Sequence, residues 1–366
     1  MKLGINGRFY GARPTGVQRF ARDLSARLYE HQEVTLFLPA SLPRPAEVPA
    51  HVPVEYGRLG GHAWEQLELP WRTRAGGTDV VLHLSGTGSI WGGRNVVVVY
   101  DVTPLSHPEW FTRSFRIWFR LALGLSAQRA CRVVTISQWS SGEVERVLAI
   151  PRSRIRVVRQ GIEPISAPAP AAEVERVRTR WKLPDTFLLA LGGRNPRKNI
   201  AFMVRILSSW RERYGTAPCL VLIGEEYSHL HARSALHIGN GLDVRVIGHV
   251  SDADLHALYT AASAFCFPSL AEGFGRPPLE AMACGTPAVV ADYGAAAEVL
   301  EGGALILPLQ VDAWVDHLAS LLASESERQH WALAGREQSS RYEWAGAVDD
   351  LIETCRAVAL ESAEGR

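Results

Sequence analysis

The sequence predicts an α/β protein of two Rossmann-like domains facing across a cleft, and three observations point there. Short apolar runs alternate with longer helical patterns over most of the 366 residues, as parallel-sheet proteins require. A Pro/Ala-rich stretch, ISAPAPAAEVE (Ile165 to Glu175), interrupts that alternation and reads as a linker. Beyond it the alternation restarts, and a chain of this length suits two domains of about 150 residues. The expected boundaries are 1–163, 164–343 and a final helix, 344–366, packing back on the N-terminal domain.

In the first half, Lys2 to Asn6 reads as a strand, followed by the loop GRFYGARPTG and an amphipathic helix carrying Val17, Phe20, Leu24 and Leu28. Strands follow at Val34 to Leu38, Val80 to Leu84 and Val96 to Tyr100. A long helical segment then runs to Ala130, a strand covers Val133 to Ile136, a helix opens at Ser140, and VRQGIEP closes the half. The second half opens with strand Phe187 to Leu191, loop GGRNPRKN and helix Ile200 to Tyr214. Strands Cys219 to Ile223 and Val244 to Ile247 come next, then a helix opening at SDAD and strand Ala264 to Phe267. The loop SLAEGFGRPP leads into a helix ending at Cys284, before strand Ala288 to Ala291 and a largely helical tail with its last segment from Trp344 to Leu360. In such a pair of domains the intervening space is the default ligand site.

Composition narrows the class. With 47% hydrophobic and 21% charged residues the chain is neither disordered nor collagen-like. A net charge of +1 gives no global field for nucleic acid, and no nucleic-acid-binding module is visible. The five cysteines are scattered without CxxC spacing, in keeping with buried thiols in a reducing compartment. MKLGINGRFY lacks the apolar core of a signal peptide and no uninterrupted apolar run is long enough to span a bilayer, so a cytoplasmic protein is expected.

Two segments carry chemistry. In SLAEGFGRPPLEAMACGTPAVVA (Ser269 to Ala291), Gly273 and Gly275 allow close backbone approach, and Pro277 and Pro278 open a helix whose N–H groups favour an anion. Glu272 lies in the loop and Glu280 eight residues on, inside the helix, at different depths. Carboxylates beside an anion site suit sugar or ribose hydroxyls, though a helix-surface role for Glu280 is an equal reading. In GGRNPRKN (Gly192 to Asn199), Arg194, Arg197 and Lys198 crowd a strand's carboxyl end, where a diphosphate would satisfy them; Lys198 is one of only three lysines. The plain reading, a solvated cluster at a helix start, is disfavoured by the helix dipole.

Together these segments resemble the donor-binding half of glycosyltransferase family 4, the retaining glycosyltransferases of GT-B fold. EGFGRPPLE, with Glu272 and Glu280, fits the family's Glu–seven residues–Glu signature, and GGRNPRKN looks like its strand-end diphosphate site. TGVQRFARDL (Thr15 to Leu24) resembles the first loop and helix of the acceptor domain, and VVVYDVTPLSHPEWF (Val97 to Phe111) a block of bacterial mannosyl- and rhamnosyltransferases. The resemblance implies that Arg194 and Lys198, with Gly193 beside them, meet the leaving phosphate. It places Glu272 with Gly273, Phe274 and Gly275 on the sugar, Glu280 on the ribose, and Gly248, His249 and Val250 along the base. Gly16 would approach the diphosphate from the N-terminal, acceptor-binding domain. Tyr100-Asp101 stands where many relatives have His-Asp; tyrosine hydrogen-bonds but does not shuttle protons near neutral pH.

The resemblance further implies transfer of a hexose or deoxyhexose, mannose before rhamnose, from a nucleoside diphosphate sugar to a glycan or polyprenyl-linked saccharide in polysaccharide or O-antigen-type assembly. The donor would be GDP-mannose, or GDP- or dTDP-rhamnose, with no cofactor and no metal. Breaking a sugar–phosphate bond leaves negative charge on the diphosphate, which fixed cations and helix amides stabilise. A sugar-nucleotide epimerase or hydrolase of the same fold and a non-catalytic sugar-binding protein remain open alternatives.

Three further features weigh less. Asp252-Ala253-Asp254 follows Ser251 at a helix start and reads as capping rather than metal binding. His229, His231 and His237 have no metal-ligand spacing, and SGTGSIWGG (Ser85 to Gly93) lacks a P-loop lysine. In Pro108 to Arg129, Trp110, Phe111, Phe115, Trp118 and Phe119 interleave with Arg113, Arg116 and Arg120. That pattern suits an interfacial helix on anionic lipid at the inner face of the cytoplasmic membrane, a groove for a lipid-linked acceptor, or a helix burying its aromatics against its own sheet.

Overall fold

A computed structural model describes residues 1–12, 15–31, 33–162, 165–192, 195–224 and 241–361. The chain divides into two compact units: Met1–Ser106, Ser114–Gly161 and the stretch from Trp344 form the first, His107–Arg113 and Ile162–Glu343 the second.

Among the described residues the first unit holds seven strands: β1 (Leu3–Asn6), β2 (Val34–Leu38), β3 (Val54–Tyr56), β4 (Val80–His83), β5 (Asn95–Val98), β6 (Arg132–Thr135) and β7 (Ile155–Val157). They pair in parallel in the order β3-β2-β1-β4-β5-β6-β7. Its helices include α1 (Gly16–His31), α2 (Leu69–Ala75), α3 (Arg113–Arg129) and α4 (Gln138–Leu148). The second unit runs α5 (Ala171–Trp181), β8 (Phe187–Leu191), α6 (Ile200–Tyr214), β9 (Cys219–Ile223), β10 (Val244–Ile247), α7 (Asp252–Ala261), β11 (Ala264–Phe267), α8 (Arg276–Ala283), β12 (Ala288–Ala291), α9 (Ala296–Leu300), β13 (Leu305–Leu307), α10 (Val311–Ala323) and α11 (Glu325–Ser339). Its parallel sheet has the order β10-β9-β8-β11-β12-β13. Central strands such as VVLH, NVVV and CLVLI are buried along their whole length, as sheets covered on both faces demand.

The last helix, α12 (Trp344–Glu361), belongs to the first unit. Trp344 is fully buried, its ring 5.3 Å from that of Phe20 on α1, and Arg27 lies over it at 5.2 Å. Gly161 packs so closely that a Cβ there would stand 2.6 Å from the Trp344 ring.

Several elements differ from the sequence reading. β3, β7 and β13 escape it because each has only three residues, lies at a sheet edge and is only partly buried; β3 and β7 also carry a charged residue mid-strand. The stretch read as a linker turns helical at Ala171, directly after Pro170, where the proline run gives way to helix formers. The segment to Ala130 is not one helix: Thr103–Ser106 and Pro108–Trp110 are separate short turns before α3, divided by non-helical backbone at His107, just before Pro108, and at Phe111. α4 opens at Gln138 rather than Ser140, with the Ser137 hydroxyl accepting from the Ser140 N–H. Asp252-Ala253-Asp254 also differs: the cap of α7 is Ser251, while the Asp254 carboxylate pairs with Arg176 at 2.7 Å and Arg180 at 3.0 Å. His229, His231 and His237 lie outside the described residues.

A polar network is buried at the carboxyl ends of β1 and β4. Asn95 donates to the Ser89 and Gly92 carbonyls, which turns its Oδ1 toward His83 Nε2 at 3.0 Å. His83 Nδ1 then accepts from Asn6 Nδ2 (3.0 Å), which also donates to Glu65 Oε1 at 2.7 Å. Arg8 Nε donates to the same oxygen (3.1 Å), and His62 Nδ1 meets Glu65 Oε2 at 3.2 Å. Burial alone would push the Glu65 carboxyl up; the His62 and Asn6 hydrogen bonds and the Arg8 charge reverse this and hold it at about 2. A carboxyl lowered on folding stabilises the fold above its unfolded range, and that stability drains away as pH falls toward the folded value. Urea unfolding should therefore show Glu65→Gln costing about 3 kcal/mol at pH 7, with the gap to wild type closing toward pH 2.

Candidate functional site

The second sheet reverses direction between β8 and β11, and ligands of open α/β sheets sit beyond the carboxyl ends of the strands flanking such a point. The loops that leave those two strands carry the candidate residues. After β8, the Asn195 side chain accepts from the Arg197 N–H (3.1 Å) and starts a tight turn, Pro196–Lys198, ended by Asn199 in the left-handed region. After β11, the Leu270 N–H donates to the Arg197 carbonyl at 2.9 Å and ties the two loops together.

Across that tie Lys198 Nζ lies 2.6 Å from Glu272 Oε1, and Arg197 Nη2 3.7 Å from Glu272 Oε2. The Ser269 hydroxyl donates to Glu272 Oε1 at 3.1 Å, and the Lys198 ammonium sits 4.4 Å from the Phe267 ring centroid. Burial raises the Glu272 carboxyl, but the charges of Arg197 and Lys198 and the bonds from Lys198 and Ser269 outweigh it and keep the group below the usual carboxylate range. It is therefore an anion at neutral pH, able to accept from hydroxyl groups. Two cations thus face this carboxylate, Lys198 in direct contact and Arg197 more loosely. Arg194 and Gly193, expected in the same loop, lie outside the described residues.

Glu280 is buried, not spread on a solvated helix face. Its Oε1 accepts from Arg276 Nε at 2.8 Å and its Oε2 from the Tyr259 hydroxyl at 3.1 Å. These bonds use two of the roughly four acceptor directions of a carboxylate. Gly275, just before α8, has φ +102°, and a Cβ there would fall 1.9 Å from the Tyr293 hydroxyl oxygen. Only glycine fits that approach. Phe274 is buried against Tyr342, and its carbonyl accepts from the Tyr293 hydroxyl at 3.4 Å. Gly248 and His249 are exposed and Val250 buried just past edge strand β10, two strands from β8. Lys198 and Glu272 thus touch, Glu280 stands apart with its own partners, and Gly248 to Val250 flank the sheet edge.

In the first unit, Gly16 is the exposed first residue of α1, with nothing within 4 Å of where its Cβ would be. Tyr100 and Asp101 follow β5. The Tyr100 hydroxyl donates to the Leu84 carbonyl (2.8 Å), its ring meets Phe20 edge-on, and burial raises it far above the usual phenol range. Asp101 Oδ1 accepts from the Thr103 N–H at 2.9 Å. Arg197 was named by the sequence beside Lys198, whereas Ser269, Tyr259 and Tyr293 join the site from outside the residues it singled out. Arg197 and Ser269 stood within its motifs, whereas the tyrosines come from other elements and carried no local signal. Among the described residues no group of three His, Cys, Asp or Glu side chains is placed to hold a metal ion.

Residues 172–338 match the family Glycosyl transferases group 1, and residues 14–165 match Glycosyltransferase Family 4. The chain is 29% identical over 268 residues to O-antigen chain mannosyltransferase B of Escherichia coli, covering 71% of this chain and 69% of that protein. It is 27% identical over 210 residues to O-antigen chain mannosyltransferase RfbU of Salmonella typhimurium, covering 57% and 55%. With the serotype-specific mannosyltransferase WbdA of Escherichia coli it shares 27% identity over 269 residues, covering 71% of this chain and only 33% of WbdA. Among solved structures, a sucrose-phosphate synthase from Thermosynechococcus elongatus matches at TM-score 0.73 and 18% identity over 99% of both chains. Anabaena HepE in complex with UDP-glucose matches at TM-score 0.71 and 16% identity over 98% of this chain and 100% of that one. Two parallel-sheet units of this fold, and two family matches that together run through most of the sequence, place the chain among the family 4 glycosyltransferases of GT-B fold.

Proposed function

We propose that the chain transfers a mannosyl group from GDP-mannose to a glycan or polyprenyl-linked saccharide during bacterial polysaccharide assembly. The observation that carries this reading is the contact of Lys198 with Glu272 at the β8/β11 switch point. A diphosphate needs cations that are already in place when the sugar–phosphate bond breaks, and Arg197 and Lys198 are such cations, fixed by the turn around them. Lys198 is an ammonium with three N–H donors in contact with Glu272, and such a group can join a phosphate oxygen to a carboxylate. Glu272, held ionised, then accepts from hydroxyls of the sugar attached to that phosphate. Glu280 takes the ribose with its remaining acceptor directions, and Arg194 adds to the phosphate contacts. With the leaving phosphate oxygen taking the acceptor's proton, front-face attack and retention require no protein nucleophile and no metal. The O-antigen mannosyltransferases among the relatives favour mannose over rhamnose as the sugar.

Helix α3 supports a second part of the reading, contact with an anionic membrane surface at the inner face of the cytoplasmic membrane. Leu123 and Ala127 bury one side of it in the core of the first unit, while Ile117, Leu121 and Leu125 are exposed beside Arg113 and Arg120. No helix among the described residues is long and apolar enough to cross a membrane. An interfacial helix instead lies along the surface, arginines toward the headgroups.

Calorimetry should show Lys198→Ala weakening GDP about 10- to 100-fold while guanosine binding stays unchanged, because a charge-assisted phosphate contact is lost. Equal loss for both would remove Lys198 from the phosphate. For Glu272→Gln, transfer should fall about 100-fold while GDP affinity holds or rises, since Lys198 loses its competing carboxylate. Flotation with anionic liposomes should be lost when Arg113, Arg116 and Arg120 are changed to Glu. Equal flotation of both forms would refute the membrane contact.

A further inference from the structure

The first sheet reverses direction between β1 and β4, as the second does between β8 and β11. Beyond the carboxyl ends of β1 and β4 stand the outer members of the buried network: Arg8, in the turn after β1, and His62 with Glu65, on the helical stretch before α2. That stretch contains one π-helical turn, Trp64–Glu68, a device frequent at functional sites. On that stretch Trp64 and Glu65 are completely buried while the side chain of His62 is 43% exposed.

We propose that Arg8 and His62, with Glu65 as their positioning residue, contact hydroxyl groups of the acceptor saccharide, beside the ring of Trp118. This inference rests on the transferase reading above for the word acceptor, but the binding chemistry is argued from the first unit alone. Arg8 directs Nε at Glu65 and Nη2 at Thr87 Oγ1 (2.8 Å), which fixes the plane of its five-donor fork; its side chain is 20% exposed. Glu65 has only acceptor oxygens when ionised, so in the neutral His62 ring the bonded Nδ1 carries the hydrogen and Nε2 is left as an acceptor. The pair therefore offers a donor fork and a single acceptor, the complement of a sugar's vicinal hydroxyls. Trp118, 38% exposed, lies 4.9 Å from the His62 ring centroid and supplies an apolar face for sugar C–H groups. Charge separates this place from the one in the second unit. Arg8 is matched by Glu65, so a neutral polyol suits it, whereas in the second unit two cations, Arg197 and Lys198, face Glu272 and suit a diphosphate.

The test uses the full chain labelled with ¹³C-histidine, GDP-mannose as donor and mannobiose as the acceptor probe, with GDP affinity measured in parallel. Mannobiose should move the His62 imidazole resonance, assigned by its loss in His62→Ala. His62→Ala and Arg8→Lys should each raise the mannobiose concentration for half-maximal transfer about tenfold, leaving GDP affinity within about twofold. His62→Gln, which keeps a polar side chain, should recover part of the loss; a merely structural role would not distinguish Gln from Ala in this way. A His62 resonance unmoved by mannobiose and by glucose- and galactose-terminated disaccharides would overturn the proposal. So would GDP affinity falling together with acceptor affinity. A resonance that moves in a protein that transfers no sugar would support the saccharide site and refute the transferase reading instead.

Discussion

The ion pair between Lys198 and Glu272 is the constraint around which the second unit is organised. Both side chains are largely withdrawn from water, so each charge would be costly without the other. Their meeting requires two loops from strands far apart in sequence to be held in register. The Leu270–Arg197 backbone bond does this, and past Glu272 the chain enters α8 through Gly275 in the left-handed region. Phe267, the last residue of β11, lies beneath the ammonium and limits its access to water. Cation, carboxylate and helix start are therefore fixed relative to one another before any ligand enters, the arrangement that stabilises developing charge without reorganisation.

Much of this was legible in the sequence because it is local. EGFGRPPLE and GGRNPRKN announce themselves through glycine, proline and charge, and each occupies one loop between a strand and a helix, where a single stretch of chain decides the geometry. The central strands were legible for a related reason: a strand buried on both faces must be apolar throughout, and VVLH and CLVLI are. What lay hidden depends on long-range packing. Three-residue edge strands borrow their structure from a neighbour. Tyr259 and Tyr293 reach Glu280 and the Gly275 turn from other elements, and nothing around them in the chain marks that role. The network from Asn95 through His83 and Asn6 to Glu65 draws on four separate segments, none with a motif of its own. The bland reading of Glu280 failed likewise, since its burial follows from Tyr259 and Arg276 closing over it.

The two units solve one problem with different sets of charged groups. Each is a parallel sheet whose strand order turns back on itself, and at each turning point a buried carboxylate is gripped by basic side chains. In the first, the histidine ladder behind Glu65 spends every polar group on another, giving a stiff neutral floor. In the second, among the described residues, Lys198 and Arg197 both face Glu272.

The return of α12 to the first unit has a practical consequence for dissection. A fragment ended at Gly161 would bare the surface of Phe20 that Trp344 covers, and would lack the ring against which Gly161 is fitted. A fragment begun at Ile162 would carry an amphipathic helix with no groove to receive it. Separating the two units therefore takes a graft as well as cuts: the final eighteen-residue helix must be rejoined to the N-terminal piece, by a linker replacing the stretch from Ile162 to Glu343.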